Sequence, residues 1–308
     1  MRLLLQSILC ICFLSAESLI SQVTGFGSRI DMGLVENDAI TEASGVACSR
    51  IQSGLLWTHN DSGDRSRLFA MSIHGKHLAE VHLTGVKSID WEDICIGPGP
   101  EEGREYVYIA DIGDNNLKRE IKTIYRIPEP VIDANTAPVT LTLSGADVLR
   151  FRYPDGNHNA ETIMVDPILK DIYLVTKKEN SAGLYRIRYT QSNSNVIDAE
   201  HVATYPYTLI VAGDISPDGT EILLKNYFFV YHFRRDSTHT VRQALGGNAS
   251  VIPYVPEPQG EAIGWDNQSR GFYTLSEELG GIPAHLYFYP KIPESSLKNN
   301  PSSKRNHE

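Results

Sequence analysis

From residue 28 onward the chain alternates short apolar runs with polar turns. The runs are four to eight residues long and rich in β-branched and aromatic side chains, and Gly, Asp, Asn and Pro clusters cut them. Leu55–Thr58, Tyr106–Ala110, Thr123–Ile127, Ile172–Thr176, Leu184–Tyr189, Phe228–Phe233, Gly271–Leu275 and Leu286–Tyr289 all read as strands. Glu36–Ala43 has some helical character but is too short to carry weight, and no convincing amphipathic helix follows. The pattern predicts an all-β chain.

The strands fall into a repeat. A small or acidic residue enters a nearly all-apolar strand, a turn follows, and a second apolar strand ends in an Asp/Asn/Lys/Glu cluster. A third strand carries an aromatic. The first-strand copies are Ser44-Gly-Val-Ala-Cys-Ser, Glu92-Asp-Ile-Cys-Ile-Gly, Glu161-Thr-Ile-Met-Val-Asp, Asp214-Ile-Ser-Pro-Asp-Gly and Glu261-Ala-Ile-Gly-Trp-Asp. A period of about 40–50 residues with four strands each is the signature of a β-propeller. Inner strands of such blades are buried on both sides, so their residues need not alternate. Five copies predict five blades. The wide interval between Glu92 and Glu161 is assigned to a broad fourth strand over 139–153, and it leaves a sixth blade open between 115 and 160. A β-sandwich is the rival fold, but it gives no reason for the repeated acidic entry. Residues 28–36 form a strand without a blade, and no fourth strand follows Pro290. The expectation is ring closure, the N-terminal strand completing the last blade of a single domain over 28–292, with a disordered polar tail over 293–308.

The first eighteen residues read as a secretory signal peptide: Met1-Arg2, an apolar run Leu3–Leu14, then Ala16 and Ser18 at the −3 and −1 positions of a cut. The run is too short to span a bilayer, and no later segment reaches spanning length. Release leaves Cys48 and Cys95 in an oxidising compartment, where a Cys48–Cys95 disulfide is the economical expectation and two buried thiols the alternative. It also gives meaning to three glycosylation sequons. Asn248 and Asn267 are the expected acceptors; Asn60 falls in a loop assigned to a ligand site and is expected bare. A net charge of −10 over 308 residues argues against a grip on nucleic acid or anionic membrane. It favours cations, or simply solubility as a monomer.

Propeller topology sends the starts of the inner strands and the loops between second and third strands to one face. That face would gather Glu92, Glu161, Asp214 and Glu261, with Glu42 two residues before its strand. The loops His59-Asn-Asp-Ser-Gly-Asp64, Asp111-Ile-Gly-Asp-Asn-Asn116, Lys177-Lys-Glu-Asn180, Lys225-Asn226 and Glu277-Glu278 would join them. Carboxylates packed around a narrow axis repel unless a cation compensates. Asp61, Glu92, Asp111, Asp114, Glu161, Asp214 and Glu261 are therefore candidate metal ligands, with His59, Asn60, Asn115 and Glu277 beside them as ligand-binding residues. Oxygen donors without a Cys or His cluster point to Ca²⁺, less so to Mg²⁺. His74 and His77 have no carboxylate partner at zinc spacing. Lys177 and Lys225 would either give the face an anion-binding half or form ion pairs with Glu161 and Asp214.

The ordered set His59-Asn-Asp-Ser-Gly-Asp, Trp91-Glu-Asp-Ile, Asp111-Ile-Gly-Asp-Asn115, Tyr153-Pro-Asp-Gly, Ala160-Glu161, Asp214-Ile-Ser-Pro-Asp-Gly and Pro258-Gln-Gly-Glu-Ala262 resembles a family of secreted β-propeller proteins of unestablished activity. The resemblance covers residues 40 to 280. More loosely, the chain is similar to calcium-dependent propeller hydrolases of the phytase, gluconolactonase and paraoxonase type. That likeness implies a metal held at the channel mouth by acidic and amide side chains.

Two functions follow as expectations. One is a secreted calcium-binding propeller that takes a small anionic ligand or an extracellular or mineralised-matrix partner through its acidic face. The other is a hydrolase of phosphoesters or lactones. There Ca²⁺ would act as Lewis acid, Asp111, Glu161 or His158 would take the proton, and Lys177 and Lys225 would steady negative charge. The chain contains no Gly-x-Ser-x-Gly, Walker or His-Glu-x-x-His motif.

Overall fold

The computed structural model describes residues 25–133 and 135–293; the signal-peptide and tail assignments lie outside them. Among the described residues, 22 strands form five antiparallel-based sheets. Blade 1 runs outward from β2 (Ala43–Cys48) through β3 (Leu55–Asn60), β4 (Arg67–Ser72) and β5 (His77–Leu83) to β9 (Val139–Leu143). Blade 2 holds β6 (Trp91–Pro98), β7 (Glu105–Asp111), β8 (Lys122–Pro128), β10 (Asp147–Arg152) and the short β14 (Ile197–Asp198). Blade 3 holds β11 (Ala160–Val165), β12 (Ile172–Thr176), β13 (Ala182–Ile187) and β15 (Glu200–Tyr205). Blade 4 holds β16 (Ala212–Ile215), β17 (Glu221–Lys225), β18 (Val230–Arg234) and β19 (Ser250–Ile252). Blade 5 holds β20 (Ala262–Trp265), β21 (Gly271–Leu275), β22 (His285–Pro290) and, as its outermost strand, β1 (Ile30–Leu34).

The fold is thus a five-bladed propeller closed by its N-terminal strand: β1 runs antiparallel to β22, with Ile30 opposite Phe288. The sixth blade does not form. The segment assigned to one broad strand splits at Ser144–Ala146 into two. β9 crosses back to lie parallel to β5 of blade 1, and β10 turns to pair with β8 of blade 2. The extra sequence between Glu92 and Glu161 therefore widens two blades. Phe228 and Phe229 also fall outside their predicted strand, since β18 begins at Val230. One five-residue helix, α1 (Val241–Leu245), is capped by Thr240.

The five inner strands β2, β6, β11, β16 and β20 pack side by side around the axis. Side chains alternate along each strand, so each inner strand feeds two interfaces. Five apolar clusters result, one between each pair of neighbouring blades. The ring is narrow enough to require glycine: a Cβ on Gly45 would lie 2.8 Å from the Ile94 nitrogen and 2.9 Å from its side chain.

This alternation overturns the disulfide. Both cysteines are buried free thiols. Cys48 points into the blade 5–blade 1 cluster, with Tyr273 and Leu275. Cys95 points into the blade 2–blade 3 cluster, with Ile163 and Tyr185. The intervening blade 1–blade 2 core, built on Ala47, Ile94 and Ile96, separates them. Adjacent inner strands put residues close, but a bridge also needs side chains that face each other.

Candidate functional site

Where the inner strands begin, the channel opens into a polar cleft of about 260 Å³. Its lining includes Glu42, Asp61, Glu92, Asn115, Glu161, Lys177, Tyr227, Gln259, Glu261 and Glu277. Every blade contributes. Glu92 and Glu161 sit at β-bulges opening β6 and β11, which turn their carboxylates toward the axis. Glu261 precedes β20, and Asp61, Lys177, Tyr227 and Glu277 come from loops between second and third strands. Asn60, buried, positions Glu42: its Oδ1 accepts from the Thr41 and Glu42 amides at 3.1 and 3.2 Å.

The cleft has two unlike halves. On the blade 1–blade 2 side, carboxylate oxygens of Asp61, Asp90 and Glu92 lie within 4.8 Å of one another. Glu92 is only 4% exposed and, among the described residues, makes no hydrogen bond or ion pair. Burial raises its pKa well above the usual carboxylate range, and Glu161, Asp61, Asp90 and Glu261 push it the same way. Burial raises Asp61 to about 6, its bond to Ser62 partly offsetting. Gly113 backs this corner; a Cβ there would run into the Glu92 and Asp90 carboxylates.

On the other side, Lys177 Nζ lies 2.7 Å from Glu161, an ion-pair contact outside hydrogen-bond geometry, and 3.6 Å from Glu261. It donates to the Tyr227 hydroxyl at 2.9 Å, and Tyr227 donates to Glu261. Burial works against the ammonium, but the two glutamates outweigh it and raise its pKa. Glu161 accepts from Asn159 Nδ2 at 3.2 Å, and the same amide reaches Asn115 at 3.1 Å. Burial lifts Glu161 to about 8, the Lys177 charge only partly opposing it. Burial and Glu261 lift Glu277 to about 7.

Of the residues singled out from sequence, Glu42, Asp61, Glu92, Asn115, Glu161, Lys177, Glu261 and Glu277 line the cleft; the others do not. Asp214 lies deeper along the channel wall, where it ties blade 4 to blade 5: its carboxylate accepts from the Ile215 and Trp265 amides, each at 2.8 Å. Asp93 does the same between blades 2 and 3, accepting from Ile94 and Ile163. Asp111 is buried against Arg119 at 2.6 Å and accepts from the Asp90 amide. Asp114 pairs with buried Lys122 at 2.6 Å and accepts two amides, from Lys118 and Arg119. Burial opposes ionisation of Asp114, but Lys122 and these amides win and lower its pKa.

Lys225 is fully buried. Its ammonium donates to the Gly260 carbonyl and lies over the Tyr254 ring, so it neither pairs with Asp214 nor faces the cleft. Burial pulls its pKa down to about 8 against Glu257 and Glu261. His59 is buried edge-on to Trp91, and burial takes its pKa to about 4. His158 is held by Asp155 and the Tyr185 hydroxyl at 3.0 and 2.8 Å. Asn248 is exposed and Asn267 half-exposed, whereas Asn60 is spent on Ala39, Asp64 and the two amides above.

Asp90, Tyr227 and Gln259 were not picked out as site residues from sequence. Each is next to a residue that was, or inside a quoted motif: Asp90 precedes Trp91-Glu92, Tyr227 follows Lys225-Asn226, and Gln259 belongs to Pro258-Gln-Gly-Glu.

No family model and no curated protein matches the chain, so the family resemblance stays a reading of motifs. Solved structures do match. The PQQ-bound aldose sugar dehydrogenase of Streptomyces coelicolor is 11% identical, covering 85% of this chain and 98% of its own, at a TM-score of 0.45. A chain of a nidogen/laminin complex is 13% identical over 79% of this chain and 74% of its own, at 0.46. Hydrazine synthase of Kuenenia stuttgartiensis is 9% identical over 79% and 70%, at 0.41. The propeller assignment rests on the five sheets themselves. Among the described residues no helix is long and apolar enough to cross a membrane.

Proposed function

We propose that the protein is a secreted propeller that binds Ca²⁺ at the Asp61–Asp90–Glu92 corner and meets an extracellular partner through the rest of its acidic cleft. One observation carries this reading. Glu92 is buried without a donor or a cation, and its oxygen converges with two further carboxylates. A carboxylate in that setting is either protonated or waiting for a positive charge. Hard oxygen donors facing an open cleft suit Ca²⁺, which tolerates irregular coordination completed by water. The signal-like leader supplies the compartment where calcium is millimolar.

The hydrolase reading is weaker. Of the proton-transfer groups the sequence offered for it, only Glu161 lines the cleft, and of the two lysines only Lys177 does. The test is a calcium titration of the purified protein by thermal unfolding and calorimetry. The melting temperature should rise with Ca²⁺ and fall back with chelator, and Glu92→Gln should abolish the response. A melting curve indifferent to both calcium and chelator overturns the proposal.

A further inference from the structure

The cleft does not end at its carboxylates. On the blade 4–blade 5 side, the loops that supply Tyr227 and Glu277 continue directly into exposed apolar side chains. Phe228 is 62% and Phe229 48% exposed on one loop; Leu279 is 48% and Ile282 55% exposed on the next. The first loop is fixed. Buried Asn226 accepts from both the Phe228 and Phe229 amides, at 2.9 and 2.7 Å, and its own amide donates to the Phe229 carbonyl at 3.0 Å. The second is a small hairpin in which Leu279 and Ile282 exchange backbone bonds at 3.1 and 3.0 Å across Gly280-Gly281. Of the corresponding loops of blades 1 to 3, those over 61–66 and 177–181 carry no large apolar side chain, and that over 112–121 exposes one, Leu117, at 53%. Phe228, Phe229, Leu279 and Ile282 therefore gather on one side of the mouth, with Leu117 alone on the blade 2 loop.

Size and charge say what fits. The cleft, at about 260 Å³, falls just below the range of roughly 300–1,000 Å³ usual for small-molecule pockets, so a single group enters and the rest of a ligand lies outside. Six carboxylates line the cleft against one ammonium, and that ammonium already serves Glu161 and Glu261. A positively charged group would find complementary charge there. What lies outside it meets two ordered phenylalanines and two aliphatic side chains, an exposed arrangement characteristic of contact surfaces.

We propose that the blade 4–blade 5 side of the mouth docks a polypeptide segment that sends a lysine or arginine side chain into the cleft toward Glu261 and Glu277 and lays its apolar neighbours on Phe228, Phe229, Leu279 and Ile282. This rests on reading the cleft as a cation site, but it uses Glu261 and Glu277 rather than the Asp61–Asp90–Glu92 corner.

The probes are the blocked pentapeptides Ac-Phe-Leu-Lys-Leu-Phe-NH2 and Ac-Phe-Leu-Glu-Leu-Phe-NH2, titrated into the whole protein by calorimetry with and without Ca²⁺. The lysine peptide should bind at least tenfold more tightly than the glutamate peptide. Phe228→Ser/Phe229→Ser should cost at least tenfold in that affinity while leaving the calcium-induced rise in melting temperature intact. Leu279→Ser, on the separate hairpin, should weaken the peptide in the same direction and guards against a fold defect in the double variant. Equal or absent binding of the two peptides overturns the proposal, as does a rim variant that binds normally. Concentration-dependent dimers in sedimentation that the rim variant dissolves would give the surface to a second copy and overturn it too. Loss of the calcium response with peptide discrimination retained would defeat only the calcium corner.

Discussion

Two acidic stretches near the channel mouth look alike in sequence and behave oppositely in the fold. The loop Asp111-Ile-Gly-Asp-Asn115 brings its own compensation: Arg119 and Lys122, a few residues on, turn back onto Asp111 and Asp114, and local amides complete the Asp114 shell. Asp61, Asp90 and Glu92 come from two blades, and no cationic side chain is paired with any of them among the described residues. The first set is a staple; the second is a group of carboxylates gathered without a cationic side chain. Acidity alone does not separate the two; what separates them is whether a cationic side chain is already in contact.

The comparison breaks most sharply at Lys122. Lys122→Met leaves the buried Asp114 carboxylate with its two amides and no cation, and should destabilise the protein by about 3–5 kcal/mol, seen as a lower urea midpoint. A variant as stable as the parent would mean that the staple is not one. Next in size is calcium itself. At a hundredfold excess over its dissociation constant the ion should add about 2.7 kcal/mol, a stabilisation that thermal unfolding reads directly and that Asp90→Asn should shrink.

Gly45→Ala tests the ring that brings the two stretches together. Its Cβ has no room beside Ile94, so a loss of about 2 kcal/mol is expected from overpacking, with calcium affinity reduced as the mouth shifts. A neutral result would mean that the inner strands have slack.

The pH dependence sharpens the contrast further. Glu161 titrates at about 8 in the fold against 4.5 as its ordinary value, so between those pH values the folded state holds a proton that the unfolded chain has lost. Metal-free stability should therefore fall as pH rises from about 4.5 to about 8, by about 1 kcal/mol per pH unit from this group. Asp61, at about 6, and Glu277, at about 7, act in the same direction over narrower windows. Asp114, held below its ordinary value, acts oppositely and only in acid, where its contribution is lost as pH falls. Unfolding curves at pH 5, 6, 7 and 8 in chelator check the sign. The smallest effect is Glu92→Gln without calcium: the amide keeps the carboxyl's size where burial and neighbouring carboxylates already disfavour a charge, and should change stability by less than about 0.5 kcal/mol.

By itself the sequence determined the all-β class, the five-fold repeat and its closure by residues near 30, because these depend on local period and on turn residues that each segment carries within itself. It also determined the face on which Glu92, Glu161, Glu261 and Asp61 would meet, since strand order maps register onto a face. It did not determine partners. Asp214 reads as one more acidic entry, yet its two oxygens bind amides of Ile215 and Trp265, the second 51 residues away in another blade. Lys225 reads as a cleft lysine, yet it points at the Gly260 carbonyl. Cys48 and Cys95 occupy neighbouring inner strands, yet they face different interfaces. In each case one step of strand register, or a bulge at one strand and not the next, decides where a side chain points. That choice is made by packing between blades far apart in the chain, and so only the tertiary structure decided which carboxylates are tied to amides or cationic side chains and which line the open cleft.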